Sequence, residues 1–238
     1  MKSVKDALKK YANPEKAKIL QGFFKTGPGQ YGEGDIFLGV MMPRQRAVVK
    51  KFWEEASFED VKSLLDSEIH DERNVGSLIL VEKFKRASDE QEKKKIYDFY
   101  LGNTRGINNW DIVDLSAPYV VGGYLLDKKK ERKVLYDLVK SDNLWERRIA
   151  ILATFAFIRA GDFGDTLKIA KLLLKDGHDL IHKAVGWMLR EIGKRNQKVL
   201  EKFLQEGGRY MMMPRTMLRY AIERFEEGKR KSYLKGEI

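Results

Sequence analysis

DLIHKAVGWMLREIGK, residues 179–194, carries the periodicity from which the fold follows. At about 100° per residue, Ile181, Ala184, Val185, Met188 and Ile192 fall in one arc, the core face of an amphipathic helix. Trp187 lies away from that arc and shares its sector with Lys183, Arg190 and Lys194. Two readings stay open. The indole packs against a neighbouring element, or it is an aromatic platform in a basic groove, suited to sugars, bases and phosphates.

The same kind of segment recurs on both sides. Long amphipathic stretches open near His70 (HDERNVGSLILVEKF), Asn108 (NNWDIVDLSAPYVV), Asn143 (NLWERRIAILATFAF), Asp179 and Pro214 (PRTMLRYAIERF). Their starts are 38, 35, 36 and 35 residues apart. Second helices lie between them, such as KKKERKVLYDLVK and FGDTLKIAKLLLK. One helix pair per ~35–40 residues is the signature of an α-solenoid of the HEAT or armadillo kind. The fold expected is all-α, a single domain over 1–238 of stacked HEAT-like helix pairs with a concave basic face. Residues 1–35 form an N-terminal helical cap and a glycine-rich loop, and 36–238 form the stacked pairs. No convincing strand is found. Pro14, Pro43 and Pro214 stand where helices can start. Ser57 with Asp60 three residues on makes a near capping box, and Ser88 is read as a second cap.

Composition narrows the function classes. The 238 residues hold 46 Lys+Arg against 35 Asp+Glu, a net charge of +11. That excess favours anionic partners, nucleic acid foremost. There is no cysteine, which excludes disulfides and thiolate metal sites and makes a reducing cytoplasm the expected compartment. The N-terminus MKSVKDALKKYANPEK carries no apolar signal core, and no run reaches the roughly 18 apolar residues of a membrane helix, so no membrane partner is expected. TGPGQYGEGD (26–35) lacks the Gly-Lys-Ser/Thr of a phosphate loop and reads as a connecting loop. His178 and His182 are i and i+4, but HExxH is absent, so no metal site and no cofactor are expected.

NNWDIVDLS (108–116) poses a chemical question. Ile112, Val113, Leu115, Tyr119 and Val120 form the buried side of its helix. Trp110 and Asp114 lie outside it as i and i+4 neighbours, within about 40° of each other. A carboxylate in a phosphate-binding groove repels the backbone. Either Asp114 pairs with an arginine such as Arg147 or Arg148 and Asp111 caps its helix, or the ligand is positive at that point. Alkylated bases are cationic, and so is the sugar formed when a glycosidic bond breaks. A carboxylate aimed at developing positive charge is an oxyanion hole with the sign reversed. Phosphate clamps are sought among the clustered arginines Arg147, Arg148, Arg215, Arg219 and Arg44.

Four stretches together resemble the AlkD-like DNA alkylation-repair glycosylases: FLGVMMPRQR (37–46), NNWDIVD (108–114), NLWERRIAI (143–151) and KAVGWMLRE (183–191). The resemblance implies a HEAT-like fold and removal of 3-alkyladenine and 7-alkylguanine from duplex DNA without base flipping. It gives Trp110 and Trp187 the place of two active-site indoles, Asp114 that of the catalytic aspartate, and Arg148 that of a phosphate contact. It implies no metal, no organic cofactor and no lysine nucleophile, hence a monofunctional enzyme. At Met41 the chain departs from the family, which often has a polar, DNA-facing residue there. Lys183, Arg190 and Lys194 join the arginines as expected DNA contacts. The expected state is a monomeric, cytoplasmic, nucleoid-associated protein of a bacterium or archaeon. The alternative is a non-catalytic HEAT-like module that binds branched or damaged nucleic acid; a protein-binding solenoid is the third reading.

Overall fold

A computed structural model of the chain describes residues 2–238. The described residues are helical throughout, apart from turns and one isolated parallel bridge, Ile36 with Ile69. They form two compact units, Met1–Tyr124 and Leu125–Ile238, each described on its own terms. The first carries α1 (Lys2–Lys9), α2 (Pro14–Phe23), α3 (Met42–Phe52), α4 (Phe58–Leu65), α5 (His70–Arg86), α6 (Glu90–Gly102) and α7 (Trp110–Leu125), the last reaching the boundary. The second carries α8 (Lys133–Leu138), α9 (Leu144–Arg159), α10 (Gly164–Leu172), α11 (Asp179–Arg195), α12 (Gln197–Gln205), α13 (Arg209–Met212), α14 (Arg215–Ala221) and α15 (Glu227–Lys235).

The sequence period survives as helix starts: α5, α7, α9, α11 and α14 begin within two residues of His70, Asn108, Asn143, Asp179 and Pro214. In the second unit α9 packs on α11 and α11 on α14, while α8 packs against α9, α12 against α11, and α10 against both α9 and α11. This side-by-side stacking of long helices, each with a shorter companion, is that of an α-solenoid. The five residues Ile181, Ala184, Val185, Met188 and Ile192 are fully buried, so the face read from the wheel is the packed one. Close stacking needs a small residue. A Cβ on Gly186 would stand 2.5 Å from the Tyr220 Cβ and 2.6 Å from the Met217 carbonyl oxygen, so glycine lets α11 and α14 meet.

Helix ends follow local chemistry. Ser57 and Asp60 form a complete capping box at α4. At α6 the cap is Asp89, whose side chain accepts from Glu92 N at 2.8 Å, while Ser88 N donates to the Glu92 carboxylate. The cap thus sits one residue beyond Ser88, whose N–H and hydroxyl are both engaged by the Glu92 carboxylate. Pro14 opens α2, Pro43 sits in the first turn of α3 and Pro214 precedes α14. Pro118 lies inside α7, where it removes one helical hydrogen bond. No described helix is long and apolar enough to cross a membrane.

Candidate active site

Three tethers fix where α7 begins. Asp35, at the end of the glycine-rich loop, is buried between the Arg73 guanidinium at 2.6 Å and the Asn109 amide, which donates to it at 3.0 Å. Asn109 in turn accepts from Trp110 N at 2.8 Å. Asn109 therefore holds the start of α7, not Asp111, whose Oδ1 instead meets His70 Nε2 at 3.0 Å. One turn on, the fully buried Tyr100 hydroxyl reaches Ser116 Oγ at 2.8 Å, and Ser116 donates to the Ile112 carbonyl at 2.6 Å. Helix α7 has little freedom to rotate.

The loop over 37–40 is held as firmly. Leu38 N and Val40 N each donate to the buried Asp71 carboxylate at 2.8 Å. Burial pushes the Asp71 carboxyl above the ordinary carboxylate range against the opposing pull of these two N–H groups. Leu38 also accepts from Asn13 N at 2.8 Å, which brings the start of α2 against the loop. The approach is so close that a Cβ on Gly39 would lie 2.2 Å from the Asn13 carbonyl oxygen, and Gly39 has φ +78°. Glycine alone fits.

These restraints create a cavity of about 330 Å³ within the first unit. Trp110, Asp111 and Asp114 of α7 line it together with Phe24, Phe37 and His70. The rings form a stack. Phe37 lies on His70 at 4.5 Å, His70 is 4.9 Å from Phe24, and Phe24 lies on Trp110 at 5.3 Å with planes 15° apart. Phe23 meets Trp110 edge-on at 6.0 Å and is itself 62% exposed. Trp110 and Asp114 thus open onto one apolar-walled cavity, both half-buried. Leu115 and Tyr119, read as core residues, are only half-buried. Met41 is exposed and also lines the cavity. Phe24, Phe37 and His70 were not singled out by periodicity, because Phe24 and Phe37 lie outside any long helix and His70 is a first helical residue.

In the second unit, Trp187 is half-buried with Phe155 5.8 Å away, and Arg159 lies over Phe155 at 4.2 Å. Its basic neighbours are paired. Lys183 bridges to Asp179 at 2.6 Å, Lys194 to Glu191 at 2.6 Å, and Arg190 to Glu223. Arg147 binds Asp176 at 2.7 Å and the Ser141 and Asp142 carbonyls. Arg148, whose direction periodicity leaves open and to which the resemblance gives a phosphate contact, is 4% exposed and donates from Nη1 to the Leu180 carbonyl at 2.5 Å, tying α9 to α11. Arg215 and Arg219 are exposed on α14, with Arg215 donating to the Leu234 carbonyl. Arg44 is exposed on α3 of the first unit, its guanidinium 5.1 Å from the Tyr11 ring. His178 caps α11 by accepting from Leu180 N at Nδ1, and burial lowers its pKa below the ordinary 6.5 against the pull of Asp176. His182 Nε2 bonds the Asp176 carbonyl.

Residues 4–225 match the family model of the DNA alkylation repair enzymes. The chain belongs to that family. A DNA alkylation repair enzyme acts on DNA, which agrees with the cationic composition. A solved structure, that of a predicted DNA alkylation repair enzyme from Enterococcus faecalis, is similar with TM-score 0.70 at 18% identity. The likeness covers 91% of this chain and 97% of that one, and at this identity it speaks for the all-helical fold. No curated protein matches the chain.

Proposed function

We propose that this DNA alkylation repair enzyme is a monofunctional glycosylase for cationic alkylpurines, 3-alkyladenine and 7-alkylguanine, in duplex DNA. The observation that carries the proposal is the shared cavity of Trp110 and Asp114: an indole and a carboxylate, i and i+4 on α7, opening between aromatic walls. Such a place suits a group that is both flat and positive.

The chemistry needs little help. The alkylated purine already carries a positive charge, so it leaves with the glycosidic electron pair as a neutral base and needs no general acid. The sugar becomes oxocarbenium-like as the C1′–N bond breaks. The Asp114 carboxylate stabilises that charge and orients a water, whose oxygen bonds to C1′ while its proton passes to solvent. Trp110 packs against the deoxyribose, and Trp187 keeps the part of the second indole that the resemblance gives it. No base need enter a pocket, in contrast to enzymes that flip their target. No lysine forms an imine with the sugar, so the strand stays intact.

Arg215, Arg219 and Arg44 are the proposed phosphate contacts among the arginines, since all three are exposed. Arg148 is assigned to holding α9 against α11. The enzyme is proposed to act as a cytoplasmic monomer. Incubation with DNA methylated by a simple alkylating agent tests the proposal through the free bases released. Binding without release would favour the non-catalytic module instead.

A further inference from the structure

A second cavity of about 270 Å³ opens in the first unit among α3, α5 and α7, outside the groups used above. Leu115 of α7 lines both cavities, so the two are neighbours along one helix. The second differs in character. Arg46 and Lys50 of α3 and Lys85 and Arg86 of α5 surround it, with Glu82 the one acidic lining residue. Glu82 is engaged by Lys85 at 2.9 Å. Arg46, Lys50 and Arg86 make no ion pair among the described residues. A groove with four cations and one anion is built to receive negative charge.

The aromatic residues decide which kind of negative charge. The Arg86 guanidinium lies over Trp53 at 5.6 Å, and the Lys85 ammonium over Tyr119 at 5.2 Å. Each ring thus carries one of the protein's own cations over a face. They act as supports that hold the two charges towards the cavity. The ligand this arrangement fits is a phosphate.

We propose that this groove seats a backbone phosphate of the bound duplex, one to two nucleotides along the strand from the sugar that faces Asp114. This rests on the reading of Asp114 given above. The spacing follows from α7. Tyr119 stands five residues beyond Asp114, about 7.5 Å along a helix at ~1.5 Å per residue. A duplex rises about 3.4 Å per nucleotide along its axis, and the winding strand covers more than that, so one to two nucleotides span a similar length. A strand following α7 past Leu115 would place its phosphate between Arg46, Lys50 and Arg86. The groove would anchor the strand while Asp114 acts on the damaged nucleotide.

The test measures affinity for an undamaged fluorescent duplex between 50 and 200 mM salt, for the full chain and for Arg46→Ala/Lys50→Ala. The slope of log affinity against log salt should fall by about 0.9 for each phosphate that the variant no longer neutralises. Lys93→Ala/Lys94→Ala removes the same charge from α6, where both lysines are already in ion pairs, and should leave the slope alone. An unchanged slope in the first variant, or an equal fall in both, overturns the groove. Base release is read separately. Wild-type protein that releases methylated base while the groove variant keeps the full slope would sink the groove and spare the glycosylase. A lowered slope without base release in wild type would do the reverse for the glycosylase, and phosphate seating would stand.

Discussion

Phe24 lies flat against Trp110, with ring centroids 5.3 Å apart and planes 15° from parallel. The contact joins the end of α2 to the start of α7, two elements far apart in sequence. It fixes the indole at the mouth of the cavity that Asp114 lines. Positioning by stacking is worth about 1 kcal/mol. Phe24→Leu keeps the burial and removes the flat face. Release of methylated base should then slow by about fivefold, with Trp110 emission shifted to the red. An unchanged rate and an unchanged spectrum would mean that Phe24 does not position the indole.

Gly39 is the narrowest point of the scaffold around that cavity. Gly39→Ala would drive a methyl group into the Asn13 carbonyl and strain a residue at φ +78°. The loss should be at least about 2 kcal/mol, seen as a lower denaturant midpoint. A midpoint within the error of wild type would show that α2 can move away freely.

The two kinds of arginine should separate in experiment. Arg148→Ala removes a buried guanidinium from the Leu180 carbonyl and should cost about 2–4 kcal/mol of stability. Arg219→Ala, on the exposed face of α14, should change stability by no more than about 0.5 kcal/mol and lower the salt slope of DNA binding by about 1. Thermal melting and salt titration of both variants check this. An Arg148→Ala protein of normal stability would contradict the buried tie.

How much of this could be read from the sequence alone depends on how local the signal is. The buried arc of α11 and the near-regular helix starts are periodic features; the arc holds at Ile181, Ala184 and Met188, and each start falls within two residues of its expected place. Trp110 and Asp114 are four residues apart on one helix, so their shared side was also legible. Phe24, Phe37 and His70 reach the cavity through Gly39, Asp71 and Asp35, contacts between distant segments that no wheel reveals. Arg148 shows the same limit. Its helical angle placed it beside Leu152 and Phe155, and only the packing of α11 buries its head group.

The α11 cap should make stability depend on pH. His178 accepts from Leu180 N only when Nδ1 is unprotonated, and burial keeps its pKa below the ordinary 6.5. The unfolded chain therefore binds this proton more readily than the folded one. The contribution is present above pH 6.5 and is lost as pH falls through the lower folded value. His178→Asn keeps a capping acceptor that does not titrate. The stability gap between wild type and this variant should shift against wild type between about pH 7.5 and 5.5. A gap that stays constant with pH would remove His178 from the cap.

Above all, the Asp114 carboxylate is proposed to serve a sugar that turns positive. Single-turnover release of 7-methylguanine from methylated duplex DNA, by wild type and by Asp114→Asn at saturating protein, tests this without intermediaries. Wild type should release the base and leave the strand intact, and Asp114→Asn should lose about a hundredfold or more in rate with DNA still bound. Equal rates in the two proteins, or no release by wild type, would rule the role of Asp114 out.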